Sequence, residues 1–401
     1  MDATHTADPQ PRHIAIVIPG LHGGGAEFAA RQWITELRGQ GRLVTVYVHG
    51  RQQPDVELPP GTVVRSFPSY GGGLRINGLL RLALMPLWLR RGVHRDQPDA
   101  VLSLMTFSNI IALLALKVSA RQSVPLMVSE RNVQALQAAN VRRRDRLTIW
   151  LARRLYGRAD GALAISHPVA GELVSAFRVP AKRVFVVPNP VVPSPVATQA
   201  LPAPDHLHLV LVARQAKQKR PHLFLAVLRE LTLRGISIRG TVIGDGPLRE
   251  STELESSRLG LNVAFLGWRE PWWNAVSDVD CLVLTANAEG FANVLVEAAA
   301  AGIPSVASSR ALGVADAIVP GVTGQFATAD SPQAYADAVL DAAPLCRTPV
   351  INIQSWLQHF SMASSTATLL TALRTMIGDH LVDTLPQPHH NATRKTTIAS
   401  K

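Results

Sequence analysis

Short apolar, β-branched segments alternate with longer amphipathic segments along most of this chain. The predicted strands are His13–Pro19, Leu43–Val48, Ala100–Leu104, Pro125–Ser129, Gly161–Ile165, Val184–Val187, Leu207–Val212, Ile238–Ile243, Asn262–Leu266, Cys281–Leu284 and Pro304–Ala307. Nearly continuous apolar strands separated by helices are typical of parallel sheets covered by helices on both faces. The pattern therefore predicts an α/β protein with two doubly wound parallel sheets.

Proline separates the two halves of this pattern. Residues 188–206 contain six prolines, and because proline fixes φ and lacks an N–H group, neither helix nor strand continues through them. The predicted units are a first domain over 1–190, a linker over 191–206, a second domain over 207–350, a C-terminal helix over 351–376 that returns to the first domain, and a flexible tail over 377–401. Ligands of such sheets bind at the carboxyl ends of the strands, so two facing domains predict a ligand between them.

Charge is distributed unevenly over the 401 residues, which carry a formal net charge of +11. Residues 1–200 hold 24 lysines and arginines against 12 acidic residues, whereas residues 201–401 hold 16 against 17. The excess predicts an anionic partner for the first half, such as a phosphorylated lipid, a membrane surface, a polyanionic glycan or a nucleic acid, although generic solubility also accounts for it. Aromatic residues make up 5% of the chain and no nucleic-acid-binding motif is present, so we expect no nucleic acid as partner.

Cysteine usage and the apolar runs indicate the compartment. Cys281 and Cys346 are the two cysteines, and without a CxxC pattern they exclude a disulfide framework and the common structural zinc sites. The first residues lack the layout of a signal peptide, and the runs Leu79–Leu89 and Ile110–Leu116 are too short or too interrupted to cross a bilayer. We therefore expect a cytoplasmic protein that is soluble or lies on a surface.

A glycine-rich loop follows the first predicted strand. Gly23, Gly24 and Gly25 precede a predicted helix from Phe28 to Arg38. Glycine lets the backbone approach a ligand closely, and the free N–H groups at a helix start favour an anion. The loop lacks the terminal Lys-Ser/Thr of a Walker A sequence, and a plain tight turn between strand and helix explains it equally well.

Four cations follow the first strand of the second half. They are Arg214, Lys217, Lys219 and Arg220. At the carboxyl end of a strand they would face the space between the domains and suit a diphosphate, because they offset the charge that builds on it as a leaving group. A solvated basic turn is the alternative.

Two glutamates frame a turn after the strand Cys281–Leu284. The segment reads Glu289-Gly290-Phe291-Ala292-Asn293-Val294-Leu295-Val296-Glu297. Small residues permit a tight turn into a helix, whose first N–H groups at Phe291, Ala292 and Asn293 could hold a phosphate. Eight residues is just over two helical turns, so Glu289 and Glu297 lie on the same general side and could bind hydroxyls at two ends of a nucleotide sugar. A capping residue and an ordinary helix glutamate are the alternative.

These motifs, in this order and at this spacing, resemble those of the retaining glycosyltransferases of family 4, which have the GT-B fold of two facing Rossmann-like domains. The resemblance covers about residues 13–376 and rests on Gly23–Glu27, Val187–Pro190, Arg214 with Lys219, Gly244–Leu248, Phe265–Gly267, Glu289–Glu297 and Ala301–Pro304. The form Glu-Gly-Phe-x-Asn and the segment Ser129–Asn132 are similar to the subset that builds bacterial surface polysaccharides and O-antigens. This second resemblance implies an enzyme of surface polysaccharide or lipopolysaccharide synthesis.

The resemblance also implies a site. Arg214 and Lys219 would bind the donor diphosphate, Glu289 a donor-sugar hydroxyl and Glu297 the ribose. The remaining donor contacts would be Gly244, Gly246, Leu266, Gly267 and Trp268 at the base, the backbone of Phe291, Ala292 and Asn293 at the diphosphate, and Gly23, Gly24 and Gly25 from the opposite domain. It implies a nucleotide-diphosphate sugar as donor, with uracil or guanine as base, no other cofactor and no bound metal, since the cations do a metal's work.

Three departures from the family pattern stand out. Ala213 and Gln215 replace the usual glycine and leucine, which the retained cation spacing tolerates. Residues 315–318 read Ala-Asp-Ala-Ile where the family has Pro-Glu-Ile/Val, so the resemblance does not transfer that glutamate's role to this chain. Ser129–Asn132 stand where many members place a histidine near the donor sugar, and the sequence does not assign its role to a particular residue.

A basic amphipathic segment suggests the acceptor. Residues 141–158 hold seven arginines around Leu147 and Trp150, a pattern that suits anionic headgroups with the indole at the interface. The residues expected at the membrane or acceptor are Arg131, Asn132, Arg142, Arg143, Arg146, Trp150, Arg153 and Arg154. We expect peripheral attachment to the inner face of a cytoplasmic membrane and a polyprenyl-diphosphate-linked or other glycan as acceptor. An ordinary domain helix with solvated arginines, and a capped helix start at Arg131, remain open.

The expected reaction moves a sugar to an acceptor hydroxyl with retention at the anomeric carbon. No carboxylate nucleophile for a double displacement is evident, so we favour front-face attack in which the leaving phosphate takes the acceptor proton. A non-catalytic nucleotide-sugar binder, or a phosphorylase or epimerase of the same fold, is the alternative. The intact set of Arg214, Lys219, Glu289 and Glu297 argues for a catalyst.

Overall fold

A computed structural model of the chain describes residues 11–50, 56–68, 78–118, 124–134, 143–191, 206–347 and 353–384. Within these ranges the strands form one seven-stranded and one six-stranded parallel sheet. The first sheet contains β1 (His13–Ile18), β2 (Leu43–Val48), β3 (Val63–Ser66), β4 (Ala100–Leu104), β5 (Leu126–Glu130), β6 (Gly161–Ala164) and β7 (Val184–Val186) in the order β3-β2-β1-β4-β5-β6-β7. The second contains β8 (His206–Val212), β9 (Ser237–Ile243), β10 (Val263–Gly267), β11 (Cys281–Leu284), β12 (Ser305–Ser308) and β13 (Gly324–Ala327) in the order β10-β9-β8-β11-β12-β13.

Helices connect the strands of both sheets. In the first domain they are α1 (Gly25–Gly39), α2 (Gly78–Asp96), α3 (Thr106–Leu113), α4 (Arg143–Leu155) and α5 (His167–Ser175). In the second they are α6 (Pro221–Leu233), α7 (Arg249–Arg258), α8 (Asn293–Ala300) and α9 (Pro332–Ala342), followed by α10 (Gln354–Gln358) and α11 (Met362–Thr384). The predicted fold class, two doubly wound parallel sheets in a GT-B arrangement, is confirmed.

The alternation along each strand divides the core of the first domain into two layers. Ile14, Ile16 and Ile18 of β1 face one layer, which also holds Trp33 of α1. Ala15 and Val17 face the other layer, toward helices on the opposite side. Both faces of the sheet are therefore dry, which is why its strands read as continuous apolar runs.

The C-terminal helix α11 crosses back from the second domain to pack against α1. Trp33 donates its indole N–H to the buried Ser365 hydroxyl at 2.9 Å, and Ser365 donates to the carbonyl of Pro188 at 2.7 Å. The helix continues to Thr384 rather than ending at residue 376, so the predicted boundary of the tail was placed too early. Ile377 is buried against the first sheet and His380 lies 3.0 Å from Asp160, and these contacts hold the additional turns.

Two edge strands were missed by the sequence pattern, β3 and β13. Each is four residues long and pairs on one side only. Most of the predicted linker, residues 192–205, lies outside the described residues, as does most of the predicted tail. The second sheet begins at His206, one residue before the predicted start of its domain.

Candidate functional site

The two domains contact each other through the segments that follow the carboxyl ends of their strands. Ser166, after β6, donates its hydroxyl hydrogen to the carbonyl of Gly290, after β11, at 2.7 Å. The backbone N–H and Nδ1 of His167 lie 2.7 and 2.8 Å from Asp316. Gly290 packs so closely on the backbone of Arg131 that a Cβ atom there has no room. This edge-to-edge contact brings together the ligand-binding ends of both sheets.

An ion pair lies where the loops after β8 and β11 meet. Lys219 Nζ contacts Glu289 Oε1, whose side chain is 8% exposed. Gln218 fixes the two loops by donating its amide to the carbonyl of Ala288 at 2.6 Å. Two of the predicted catalytic residues are therefore in direct contact. The third, Arg214, is exposed and makes no ion pair within the described part of the chain.

The other two cations of the β8 loop do not share this position. Arg220 has a left-handed backbone (φ 48°), donates to the carbonyl of Thr285 at 2.6 Å and pairs with Asp330 at 2.9 Å. It therefore stabilises the start of α6 rather than facing the space between the domains, contrary to the sequence-based prediction of four cations there. Lys217 is exposed. Of these four cations, Lys219 contacts Glu289, whereas Arg214 and Lys217 are exposed.

The turn into α8 presents unpaired backbone donors. Ala292 is in the left-handed region (φ 71°) and precedes Asn293, the first residue of α8. The first N–H groups of a helix lack intrahelical acceptors, and within the described residues those of Phe291, Ala292 and Asn293 bond to no other backbone group. The ring of Phe291 is 2% exposed and packs on Phe360. The ring is therefore part of the core and is not a ligand contact.

The loops after β8, β9 and β10 are fastened to one another. Gln215 stands where the family usually has leucine. Its buried side-chain amide donates a hydrogen bond to the carbonyl of Gly244 at 3.0 Å, which explains this departure. Gly244 (φ 125°) and Gly246 (φ 157°) pack directly on the backbone of the β8 loop and leave no room for side chains. The N–H of Gly244 donates to the carbonyl of Gly267 at 2.8 Å. The predicted base-binding glycines are thus contiguous.

The residues next to Gly267 differ in exposure. Leu266 is half-buried, whereas Trp268 is 59% exposed. The large exposed indole ring of Trp268 lies beside the glycine turns and offers a surface on which a planar base can stack.

Glu297 lies on α8 and is half-buried. Trp272 donates its indole N–H to Glu297 Oε2 at 2.8 Å. Burial raises the pKa of Glu297 to about 7, and the nearby charge of Glu270 adds to the rise while the Trp272 hydrogen bond opposes it. A carboxyl group that changes charge near neutral pH is typical of functional positions.

The glycine loop of the first domain reaches this turn. Gly24 N–H donates to Glu27 Oε2 at 3.1 Å, which is half of a capping box at the start of α1. Gly25 is the first residue of α1, and a Cβ atom there would lie 3.7 Å from Asn189 Nδ2 and 3.9 Å from Asn293 Nδ2. Gly23 has a positive φ of 116° and is exposed with Gly24. The loop therefore faces the start of α8.

Arg131 was predicted at the acceptor or membrane surface, and this prediction was wrong. Its side chain is 6% exposed, stacks 5.2 Å from the ring of Trp33 and donates to Asn189 Oδ1. Burial lowers its pKa to about 9, against the opposing charges of Glu27 and Glu130. Its Nε and NH1 atoms are buried and have no hydrogen-bond partner within the described residues. Close packing of Gly290 covers the residue, which sequence alone does not reveal.

The residue before Arg131 anchors the same segment. The Glu130 carboxylate accepts hydrogen bonds from Tyr156, from Gln134 at 3.1 Å and from Thr106 at 3.2 Å. Burial raises its pKa. Asn132 lies at the domain contact, with its Cα near Gly290, and is half-buried.

The predicted membrane residues lie on α4, apart from Arg142, which is outside the described residues. Leu147 and Trp150 are 57% and 51% exposed, and the guanidinium of Arg154 lies 5.0 Å over the ring of Trp150. Arg146 and Arg153 are also exposed. Arg143 begins the helix. The opposite face, which holds Ile149, Ala152 and Leu155, is buried. Cations and two large apolar side chains thus share the outer face.

Sequence reasoning gave no individual role to several contact residues. Asn189 entered only as part of a motif, and Trp272, Ser166 and His167 were not singled out. A tandem of tryptophans after a proline, at residues 271–273, is the one local signal for Trp272. Asp316, which stands where the family's glutamate would be, contacts His167 instead. Among the described residues no group of three or more His, Cys, Asp or Glu side chains could hold a metal ion.

Family models divide the chain as the two sheets do. The model for glycosyl transferases group 1 matches residues 206–343, and the model for Glycosyltransferase Family 4 matches residues 23–194. Both parts of the chain are thus similar to glycosyltransferases, and the fold is GT-B. No helix within the described ranges is long and apolar enough to cross a membrane.

Individual relatives are consistent with this class. The lipopolysaccharide 1,6-galactosyltransferase of Salmonella typhimurium is 31% identical over 182 residues, which cover 42% of this chain and 48% of that enzyme. The chain thus spans about half or less of the length of the curated relatives it matches. The lipopolysaccharide outer core galactosyltransferase WaaB in its apo form superposes with a TM-score of 0.70 at 20% identity, covering 90% of this chain and 99% of that one. Anabaena Alr3699/HepE in complex with UDP and glucose gives 0.67 at 19% identity, with 93% and 99% covered.

Proposed function

We propose that this protein transfers a sugar, with retention at the anomeric carbon, from a nucleoside-diphosphate donor to a lipid-linked glycan in lipopolysaccharide or surface polysaccharide synthesis. The observation that carries the proposal is the convergence of Lys219, Glu289 and the free N–H groups at the start of α8, with Arg214 nearby on the β8 loop. Cations and helix N–H groups favour an anion, and a buried carboxylate beside them favours a hydroxyl. A nucleotide sugar carries both.

The proposed donor contacts follow from this geometry. Arg214 and Lys219 bind the diphosphate together with the backbone of residues 291–293, and Glu289 binds a donor-sugar hydroxyl while its charge is balanced by Lys219. Glu297 binds the ribose, and the glycine turns with Trp268 bind the base. The complexes of HepE with UDP support a uracil base. The loop at Gly23–Gly25 closes the site from the first domain.

The proposed chemistry needs little covalent participation by the protein. The acceptor hydroxyl attacks the anomeric carbon from the face that the phosphate leaves, and the departing phosphate oxygen takes the hydroxyl proton. Charge grows on the diphosphate as its bond to the sugar breaks, so Lys219 and Arg214 act more strongly on the transition state than on the bound donor. Contact between the two domains excludes water and so limits hydrolysis of the donor.

The proposed acceptor side is the outer face of α4. Its exposed arginines attract anionic headgroups, and Leu147 and Trp150 insert at the interface. Peripheral attachment there places the first domain beside polyprenyl-diphosphate-linked glycans at the inner face of the cytoplasmic membrane. The name of the Salmonella relative supports lipopolysaccharide as the product.

The activity test is turnover of UDP-, GDP-, ADP- and dTDP-sugars, followed by mass spectrometry, with and without a bacterial membrane extract as acceptor source. We expect one nucleotide series to be used and sugar to move only when the extract is present. Anomeric configuration of the product, read by NMR, tests retention. If no nucleotide sugar binds or reacts, the transferase proposal is wrong.

Two variants in one loop separate catalysis from general charge. Lys219→Met removes the cation that contacts Glu289, whereas Lys217→Met removes an exposed cation two residues away. We expect kcat to fall about 100-fold or more in the first, since charged hydrogen bonds and transition-state electrostatics of this kind contribute about 3 kcal/mol, and to change little in the second. Equal loss in both would show that the loop acts only through its general charge. Nucleotide binding without transfer in the unaltered protein would indicate a non-catalytic binder.

Attachment to membranes is tested with sedimented vesicles. We expect binding to vesicles that contain phosphatidylglycerol and not to neutral phosphatidylcholine vesicles, with binding reduced in the double variant Leu147→Ser/Trp150→Ser. Leu254→Ser, at a residue 66% exposed in the second domain, is the control. Binding that is unchanged in the α4 variant would show that this helix is an ordinary solvated one.

A further inference from the structure

A chain of three side chains crosses between the domains at the start of α8. The guanidinium of Arg131 donates from NH2 to Asn189 Oδ1. Asn189 in turn donates from Nδ2 to Asn293 Oδ1 at 2.8 Å. Arg131 and Asn189 are 6% and 2% exposed. The chain therefore runs from a buried cation in the first domain to the first residue of α8 in the second.

The guanidinium of Arg131 fixes the donor and acceptor direction of these hydrogen bonds. A guanidinium has only donors, so Asn189 must present its oxygen to Arg131 and its nitrogen to Asn293. Asn293 must then accept with its oxygen, and its own NH2 group faces away from the chain. A side-chain amide without such a partner can rotate by 180° and exchange donor for acceptor. Arg131 removes that freedom at both amides.

The NH2 group of Asn293 lies next to the proposed diphosphate position. Asn293 is the first residue of α8, beside the free backbone N–H groups. The group lies toward the glycine loop, because a Cβ atom on Gly25 would be 3.9 Å from Asn293 Nδ2. Within the described residues it donates to no protein group, and the side chain is half-buried rather than covered. An oriented donor thus remains for a ligand.

We propose that Arg131 and Asn189 are positioning residues that orient the side-chain amide of Asn293 as a hydrogen-bond donor to the diphosphate of the nucleotide sugar. The inference rests on the proposed function. The stack on Trp33 and the charge of Glu27 hold the guanidinium in place. Because two of the three residues belong to the first domain, the donor site is complete only when the two domains are in contact.

The decisive variant is Asn293→Asp. A carboxylate still accepts from Asn189, so the contact between the domains is retained, but its second oxygen replaces the NH2 group and repels the diphosphate. By calorimetry we expect the affinity for UDP to fall about tenfold or more, with a smaller change for UMP, which lacks the β-phosphate. GDP and GMP replace them if the sugar panel selects guanine. Asn287→Asp, at an exposed residue of the same strand-to-helix connection, controls for the added charge.

The orientation itself is tested at Asn189. Asn189→Asp keeps an acceptor for Arg131 but loses the donor, so Asn293 rotates its NH2 group toward the new carboxylate and away from the ligand. We expect a loss of UDP affinity similar to that of Asn293→Ala, and little further loss when the two changes are combined. Arg131→Lys retains a donor-only cation and is expected to keep most of the affinity. Circular dichroism and thermal melting check that each variant folds.

The outcomes separate this inference from the proposed function. If the unaltered protein binds neither nucleoside diphosphate, the proposed function fails and the inference with it. If the unaltered protein binds UDP or GDP and Asn293→Asp binds it equally well, the orientation inference is overturned and the proposed function stands. Losses at Asn189 and Asn293 that add independently would also overturn it.

Discussion

The half-buried carboxyl group of Glu297 makes the stability of the protein depend on pH. Burial raises its pKa from 4.5 to about 7, and the Trp272 indole N–H, 2.8 Å away, is its hydrogen-bond donor. The test substitution is Glu297→Gln, which keeps the size of the side chain and an acceptor oxygen for Trp272. It removes the charge at every pH. The substitution therefore isolates the cost of holding a carboxylate in this environment.

The sign and size follow from the difference between folded and unfolded states. Below about pH 4.5 both the folded and the unfolded state hold the proton, so Glu297 makes no pH-dependent contribution to the free energy of unfolding. Between pH 4.5 and 7 the unfolded state releases the proton and the folded state retains it, so the free energy of unfolding decreases as the pH rises. The decrease is complete above pH 7 and amounts to about 3 kcal/mol for a shift of this size.

Urea unfolding followed by tryptophan fluorescence from pH 4.5 to 8.5 measures this cost. We expect the free energy of unfolding of Glu297→Gln, minus that of the unaltered protein, to rise by about 3 kcal/mol over this range. Trp272→Phe removes a donor that favours the charged form, so we expect it to move the midpoint of the pH dependence upward. A difference that stays constant with pH would refute the argument that burial raises this pKa.

Nucleotide binding reports on the same group. A ribose hydroxyl that donates to Glu297 favours the carboxylate, so binding near pH 7 should release a proton. Calorimetry in buffers of different ionisation enthalpy measures that release, and Glu297→Gln should abolish it. Binding without proton release in the unaltered protein would place the ribose elsewhere.

Three further predictions concern packing. Gly290→Ala forces a Cβ atom into the backbone of the first domain, so we expect transfer activity to be lost while each domain stays folded. The control is Gly171→Ala, in open space on α5, which should be neutral in activity assays. Ser365→Ala leaves the buried indole N–H of Trp33 and the half-buried carbonyl of Pro188 unpaired and should lower the free energy of unfolding by about 2 kcal/mol, compared with no loss for Thr368→Ala on the exposed face. Truncation after Met376 removes buried contacts of α11 and should lower the melting temperature measured by calorimetry.

The strands were predictable because most are buried on both faces. Runs such as residues 14–18 are apolar without interruption, and each end of the predicted strands lies within one residue of the observed end. The two missed strands are at sheet edges, where one side has no strand neighbour and the burial signal weakens. β13 begins with Gly324, a residue that strand propensity disfavours, because its Cα packs against the backbone of Ser305.

The positions of the site loops were also predictable, but the direction of individual side chains was not. Parallel strands bring the loops after their carboxyl ends to one edge, so Lys219 and Glu289 meet although they are 70 residues apart. Arg220 and Arg131 show where this reasoning fails. The sequence favours exposure of an arginine. Partners from the opposite domain bury Arg131, and partners from other loops hold Arg220 away from the space between the domains.

The contact between the domains and the proposed donor site share the same turn. Ser166 holds the carbonyl of Gly290, and Asn189 holds Asn293, so the first domain fixes both sides of the entry to α8. A donor that binds this turn better when it is fixed must, by linkage, favour the domain contact by the same factor. If the proposed function holds, the bound donor promotes the closed arrangement that keeps water out, and release of the product nucleotide weakens it. Transfer and domain opening are then coupled through a few hydrogen bonds rather than through a separate regulatory site.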